Sequence, residues 1–128
     1  MNFLCICIGA MLIAISASAS ASASGVITVE QYQTWSKGKD KEIRDMLDTY
    51  LHGFGNGLIL ANNELKSRRQ PLFYCQPEHL ALTSENYRHI LNDEIGQLMA
   101  NTPKNPIGPL SIEVILMGGL KKTFPCNK

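Results

Sequence analysis

The stretch DKEIRDMLDTYLHGFGNGLILANNELK, residues 40–66, decides the fold class. Its apolar residues recur at steps of three, four and one, which is the pattern of a helix with one buried face. They are Ile43, Met46, Leu47, Tyr50, Leu51, Phe54, Leu58, Ala61 and Leu65. At the helical rise the segment is about 40 Å long. The pattern therefore predicts one long amphipathic helix.

Three glycines stand in this segment at every second position, Gly53, Gly55 and Gly57. Each glycine in a helix interior costs about 1 kcal/mol relative to alanine, so the glycines need a structural reason. On a helical projection, Gly53 and Gly57 lie together on one flank of the apolar stripe, and Gly55 lies on the other flank. We expect close packing of a neighbouring helix at Gly53 and Gly57. The alternative is a kink or a break at 53–57.

The remainder of the chain also favours helices. Segments 26–37, 83–100 and 109–124 have helical spacing of apolar residues, and the turn-rich stretches 67–82 and 101–109 separate them. Strict alternation of apolar and polar residues is nowhere long enough for a sheet. The sequence therefore predicts an all-α fold, a small bundle of about four helices.

The first residues have the layout of a secretory signal peptide. An apolar run at 3–15 precedes an alternating serine and alanine tract at 16–24. We expect a signal peptide over residues 1–23, cleaved somewhere in 17–24, and a single mature domain at 25–128. The alternative is a membrane anchor, but the run is shorter than the roughly 20 residues that a membrane span needs. The mature chain is then exported and not membrane-bound.

Cleavage changes the count of cysteines. Cys5 and Cys7 leave with the signal, and Cys75 and Cys126 remain. An even pair in an exported chain predicts one disulfide. A ring of about 50 residues stabilises a fold by roughly 4 kcal/mol in the chain-entropy model. The alternative is two free, buried thiols.

Charge and motifs indicate a binding protein more than an enzyme. The net charge is +1, and no basic stripe of the kind that binds nucleic acid is present. His52 lies one turn after Asp48, but a catalytic metal needs three protein ligands and a structural one four, and no second pair has matching spacing. No nucleophile elbow, phosphate loop or zinc motif occurs. We therefore expect no catalytic residues, no metal and no cofactor.

Three stretches together resemble a known family. They are Y-x-x-G-x-x-x-G at 50–57, C-x-P-E at 75–78 and T-F-P-C at 123–126. Their order resembles that of the Tai/Rap-type periplasmic immunity proteins, which accompany type VI secretion effectors that cut peptidoglycan. The matching positions are Tyr50, Gly53, Gly57, Cys75, Pro77, Thr83, Phe124, Pro125 and Cys126. The chain departs from the family at Asn56, where an aspartate is common, and it lacks the further cysteines that many relatives carry in their first helices.

The resemblance implies a small, all-helical periplasmic protein that binds a cell-wall amidase toxin and occludes its active site, often as a homodimer. A loop suits that task, because a rigid loop loses little entropy when it enters a cleft. The first candidate is the proline-rich loop 101–109, and the second is 67–82; each could instead be a plain connection between helices. The toxin-binding residues proposed from the sequence are Asn101, Thr102, Pro103, Lys104, Asn105 and Pro106.

Two other functions are open at this point. A periplasmic stress chaperone, or another small helical binding protein, would have a similar size and composition. A small hydrolase would use His52 with Asp48.

Overall fold

A computed structural model describes residues 25–104 and 106–126. Over these residues the chain forms four helices, which we name α1 (Val29–Lys37), α2 (Lys41–Ser67), α3 (Ser84–Asn101) and α4 (Ile112–Thr123). The predicted all-α bundle of about four helices is confirmed. The predicted signal peptide at 1–23, with its cleavage region at 17–24, lies outside the described residues.

Polar side chains begin the first three helices. Thr28 and Gln31 form a reciprocal capping box at α1, so this helix begins at Val29 and not at the predicted position 26. The Asp40 carboxylate accepts hydrogen bonds from the first backbone N–H groups of α2. Thr83 caps α3, again with a reciprocal box. These side chains satisfy N–H groups that have no partner within the helix.

The start of α4 differs from the prediction. The helix begins at Ile112 and not at position 109. Its first residue is held by the segment before α1, because the Ile112 N–H donates to the Ile27 carbonyl at 2.9 Å. Next to it, Thr28 and Ser111 form an isolated antiparallel bridge. A contact between distant parts of the chain therefore determines this boundary.

All four helices contribute to one core. The side chains that are almost completely buried are Val29, Tyr32, Leu51, Tyr74, Tyr87, Leu91, Ile112, Leu116 and Leu120. Tyr74 comes from the loop between α2 and α3, so that loop also belongs to the core. Burial of these apolar side chains is the main stabilising term of a fold of this size.

The prediction of close packing at Gly53 and Gly57 is wrong. Both glycines are exposed, and a Cβ atom added at either would meet no atom within 4 Å. The close approach occurs at Gly55, where an added Cβ would collide with the buried ring of Tyr87. Residues two apart lie about 200° apart around a helix, so Gly53 and Gly57 must face outward when Gly55 faces the core. Helix α2 is continuous through all three glycines, and the chain does not break there.

A second close approach joins α3 to α4. A Cβ atom at Gly119 would lie 2.7 Å from Ile90 Cγ2 and 3.2 Å from the Ile90 carbonyl oxygen. The buried Glu94 carboxylate lies at the same contact and accepts hydrogen bonds of 2.6 and 2.7 Å from Lys122. This ion pair supplies the partner that a buried carboxylate needs.

Candidate protein-binding surface

The disulfide fixes one end of the bundle. Cys75 and Cys126 are bonded, with an S–S distance of 2.06 Å, so the predicted pairing is confirmed and the alternative of free thiols is excluded. The Cys75 N–H also donates to the Phe124 carbonyl at 2.8 Å. The ring of Tyr74 packs near that of Phe124. The loop before α3 is thereby held against the end of α4.

A buried asparagine holds the same loop from the other side. The Asn62 side chain donates to the Tyr74 carbonyl and accepts from the Phe73 N–H, both at 2.9 Å. Asn62 was not among the residues predicted from the sequence to form a site. The available signal was its position one turn after Leu58, on the buried face of α2. A polar residue there must find hydrogen-bond partners, and a loop with unpaired backbone groups provides them.

The proline-rich loop begins at a well-anchored helix end. Thr102 donates its hydroxyl to the Leu98 carbonyl at 2.6 Å and also donates its N–H to that oxygen at 2.9 Å. Of the residues predicted to bind a partner, Asn101, Pro103, Lys104 and Pro106 are exposed and Thr102 is half-buried. Asn105 lies outside the described residues.

The loop is anchored again where it returns. The Gly108 carbonyl accepts from the Glu30 N–H at 3.1 Å, and the Leu110 carbonyl accepts from the Val29 N–H at 2.9 Å. Ile107 packs against the core. Both ends of the loop are therefore fixed to helices, and exposed side chains lie between them. The exposed residues Pro103, Lys104 and Pro106 therefore lie between two anchored positions of the chain.

Beside this loop lies an open cleft between α1, α2 and α3. Its volume is about 420 Å³. Met99, three residues before the loop residue Thr102, forms part of its wall. We call it the α1–α3 cleft; its lining comprises Tyr32, Gln33, Ser36, Lys37, Arg44, Leu47, Asp48, Arg88, Asn92, Ile95, Gly96 and Met99. The cleft was not predicted from the sequence, because side chains of three separate helices form it.

Polar contacts hold the walls of the cleft together. The Tyr32 hydroxyl donates to Asn92 Oδ1 at 3.0 Å, which links α1 to α3. Burial raises the pKa of Tyr32, so this hydroxyl keeps its proton at neutral pH. Arg88 forms an ion pair with Asp48, which links α3 to α2. These two contacts tie α1 and α2 to α3 at the cleft.

The metal-site and hydrolase hypotheses both pair Asp48 with His52, and the structure gives Asp48 a different partner. Asp48 binds Arg88, and no ion pair joins it to His52, which is exposed on α2. Over residues 25–104 and 106–126, no three His, Cys, Asp or Glu side chains are grouped so that they could hold a metal ion. The arrangement at Asp48 is thus an interhelical contact.

Tyr50, the tyrosine of the resemblance motif, joins α2 to α4. Its hydroxyl donates to Glu113, which also accepts from the hydroxyl of Ser111 and from the Ile27 N–H. Burial raises the pKa of Glu113, but these hydrogen bonds outweigh burial and leave the pKa below its ordinary value. Burial and the Glu113 carboxylate together raise the pKa of Tyr50 to about 12.

Comparison with known proteins found no match for this chain. No protein-family model, no curated protein and no solved structure matches the chain. Among the helices of the described residues, none combines the length and the apolar character needed to traverse a membrane.

Proposed function

We propose that this chain is a periplasmic immunity protein that binds a peptidoglycan amidase delivered by a type VI secretion system and covers its active site. The observation that carries the proposal is the bond between Cys75 and Cys126. These residues belong to two of the three stretches on which the family resemblance rests, 75–78 and 123–126. The bond also suits an exported protein, because disulfides persist in oxidising compartments.

Inhibition by occlusion requires a shaped, rigid surface and no reacting group in the inhibitor itself. We assign this surface to the exposed loop residues Pro103, Lys104 and Pro106, because Thr102 anchors the start of the loop and Gly108 fixes its return to α1. A surface that is already ordered loses little conformational entropy on binding. We place the first contact with the amidase at the exposed residues Pro103 and Lys104.

The test is rescue of cells from a defined toxin. The genes adjacent to this one are first searched for an exported cell-wall amidase. That amidase is then directed to the periplasm, with and without this chain, and lysis is followed by optical density. The proposal expects lysis with the amidase alone and growth when both are present. Purified protein should inhibit peptidoglycan hydrolysis by the amidase. Light scattering then gives the mass of the complex, and with it the stoichiometry and whether this chain is the homodimer that the resemblance implies. Undiminished hydrolysis in excess of this chain would overturn the proposal.

A charge reversal at the loop tests the proposed surface. Lys104→Glu should slow association with the amidase, because an exposed charge at an interface acts mainly on the rate of encounter. Lys121→Glu is the matched control, since Lys121 is an exposed cation that belongs to α4 and not to the loop. Equal association rates for both variants would remove the loop from the interface.

A further inference from the structure

We propose that the α1–α3 cleft receives an acidic segment of the amidase, in which an apolar side chain lies between carboxylates. This inference rests on the proposed function for the identity of the partner. The contact would be a second one, in addition to the contact proposed for the exposed loop residues Pro103 and Lys104.

The floor of the cleft is apolar, and its rim carries an exposed apolar side chain. Leu47 and Ile95 are buried at its base, whereas Met99 at its rim is 52% exposed. The cleft volume of about 420 Å³ lies within the range of pockets that hold ligands. A methionine at the rim suits such a site, because its flexible, polarizable side chain adapts to the shape of a partner. The floor therefore selects an apolar side chain.

The charges that line the cleft determine which residues of the partner can flank its apolar side chain. Three cations line it, Lys37, Arg44 and Arg88, against the single carboxylate of Asp48. Arg88 is paired with Asp48. Lys37 and Arg44 form no ion pair with any carboxylate of the described residues. The remaining positive charge favours a partner with carboxylates, since complementary charge speeds encounter and fixes register.

A glycine in the wall makes the proposal testable without loss of the fold. Gly96 lies in α3 and lines the cleft, and a Cβ atom added there would meet no atom within 4 Å. A leucine at this position would occupy part of the open space at the cleft wall. Because leucine is a better helix former than glycine, the substitution should not destabilise α3.

The first measurement uses the amidase identified by the rescue experiment under the proposed function. Gly96→Leu should bind it about tenfold more weakly than the unchanged chain, because the apolar side chain of the partner loses its site. Gly57→Leu is the matched control: Gly57 is also an exposed helical glycine with open space around it, on α2 and outside the cleft lining. Lys37→Glu should weaken binding as well, and Lys121→Glu should not. Thermal unfolding of each variant verifies that the fold is intact.

The second measurement does not need the amidase. A blocked pentapeptide with leucine between two aspartates is titrated into the labelled full chain and followed by nuclear magnetic resonance. Shifts should concentrate at the cleft lining, around Tyr32, Ile95 and Met99, and disappear in Gly96→Leu. A peptide with lysines in place of both aspartates should cause much smaller shifts.

The outcomes separate the two proposals. If the amidase binds Gly96→Leu as tightly as the unchanged chain, the cleft inference is overturned and the proposed function stands. If the amidase does not bind at all, the proposed function fails, and the peptide titration alone decides the cleft. Shifts that are absent, lie elsewhere, or are equal for the acidic and basic peptides count against the cleft.

Discussion

Alanine at Gly55 should destabilise the protein, whereas alanine at Gly53 or Gly57 should stabilise it. A Cβ atom at Gly55 would overlap the ring of Tyr87, whose side chain is fully buried. Overpacking of this kind costs about 1–3 kcal/mol. Alanine returns about 1 kcal/mol of helix propensity. The net loss at Gly55 is therefore up to about 2 kcal/mol, against a gain of up to about 1 kcal/mol at each exposed glycine.

Urea unfolding followed by circular dichroism measures these differences. The midpoints should shift in opposite directions, with similar slopes, because the substitutions change stability and not the surface exposed on unfolding. A double-mutant cycle of Gly55→Ala with Tyr87→Leu isolates the contact: with the ring removed, alanine at position 55 should no longer destabilise. If Gly55→Ala stabilised the chain as much as Gly57→Ala does, the packing of Tyr87 on α2 would be refuted.

Three further predictions concern the polar and covalent contacts. Replacing Cys75 and Cys126 together by serine should lower the free energy of unfolding by about 4 kcal/mol, since the bond closes a loop with a sequence separation of 51; chemical denaturation measures this loss. Asn62→Ala should cost about 2–3 kcal/mol by the same assay, because it leaves two backbone groups of the loop without a partner. The folded-state pKa of Glu113 lies below its unfolded value of 4.5, so its stabilising contribution is present above that pH and is lost as pH falls through the folded-state pKa. Glu113→Gln should therefore make the acid side of a plot of stability against pH less steep.

Each of these has a control or a contradicting result. Reduction of the unchanged protein should reproduce the loss seen in the double serine variant. Asn63→Ala is the control for Asn62→Ala. Because Asn63 is exposed on the same helix, its substitution should change the free energy of unfolding little. If stability fell as steeply with decreasing pH in Glu113→Gln as in the unchanged protein, the role given to Glu113 would be contradicted.

Much of the architecture could be predicted from local signals. The helical spacing over residues 40–66 predicted α2 to within a residue or so at each end. The capping positions Thr28 and Thr83 precede α1 and α3, because a hydroxyl there binds backbone N–H groups of the next turn. The two cysteines that remain after the expected cleavage are bonded. These features depend on neighbours in the chain or on simple counting.

The sequence by itself determined the four helices, most of their ends and the disulfide. The tertiary structure alone decided which of three glycines contacts a neighbour, what Asn62 binds, that Asp48 pairs with Arg88, and that α1, α2 and α3 enclose a cleft beside the proline-rich loop. The physical reason is the range of the interactions. Periodicity places a residue around its own helix axis, whereas its contacts depend on how helices distant in the chain pack against one another.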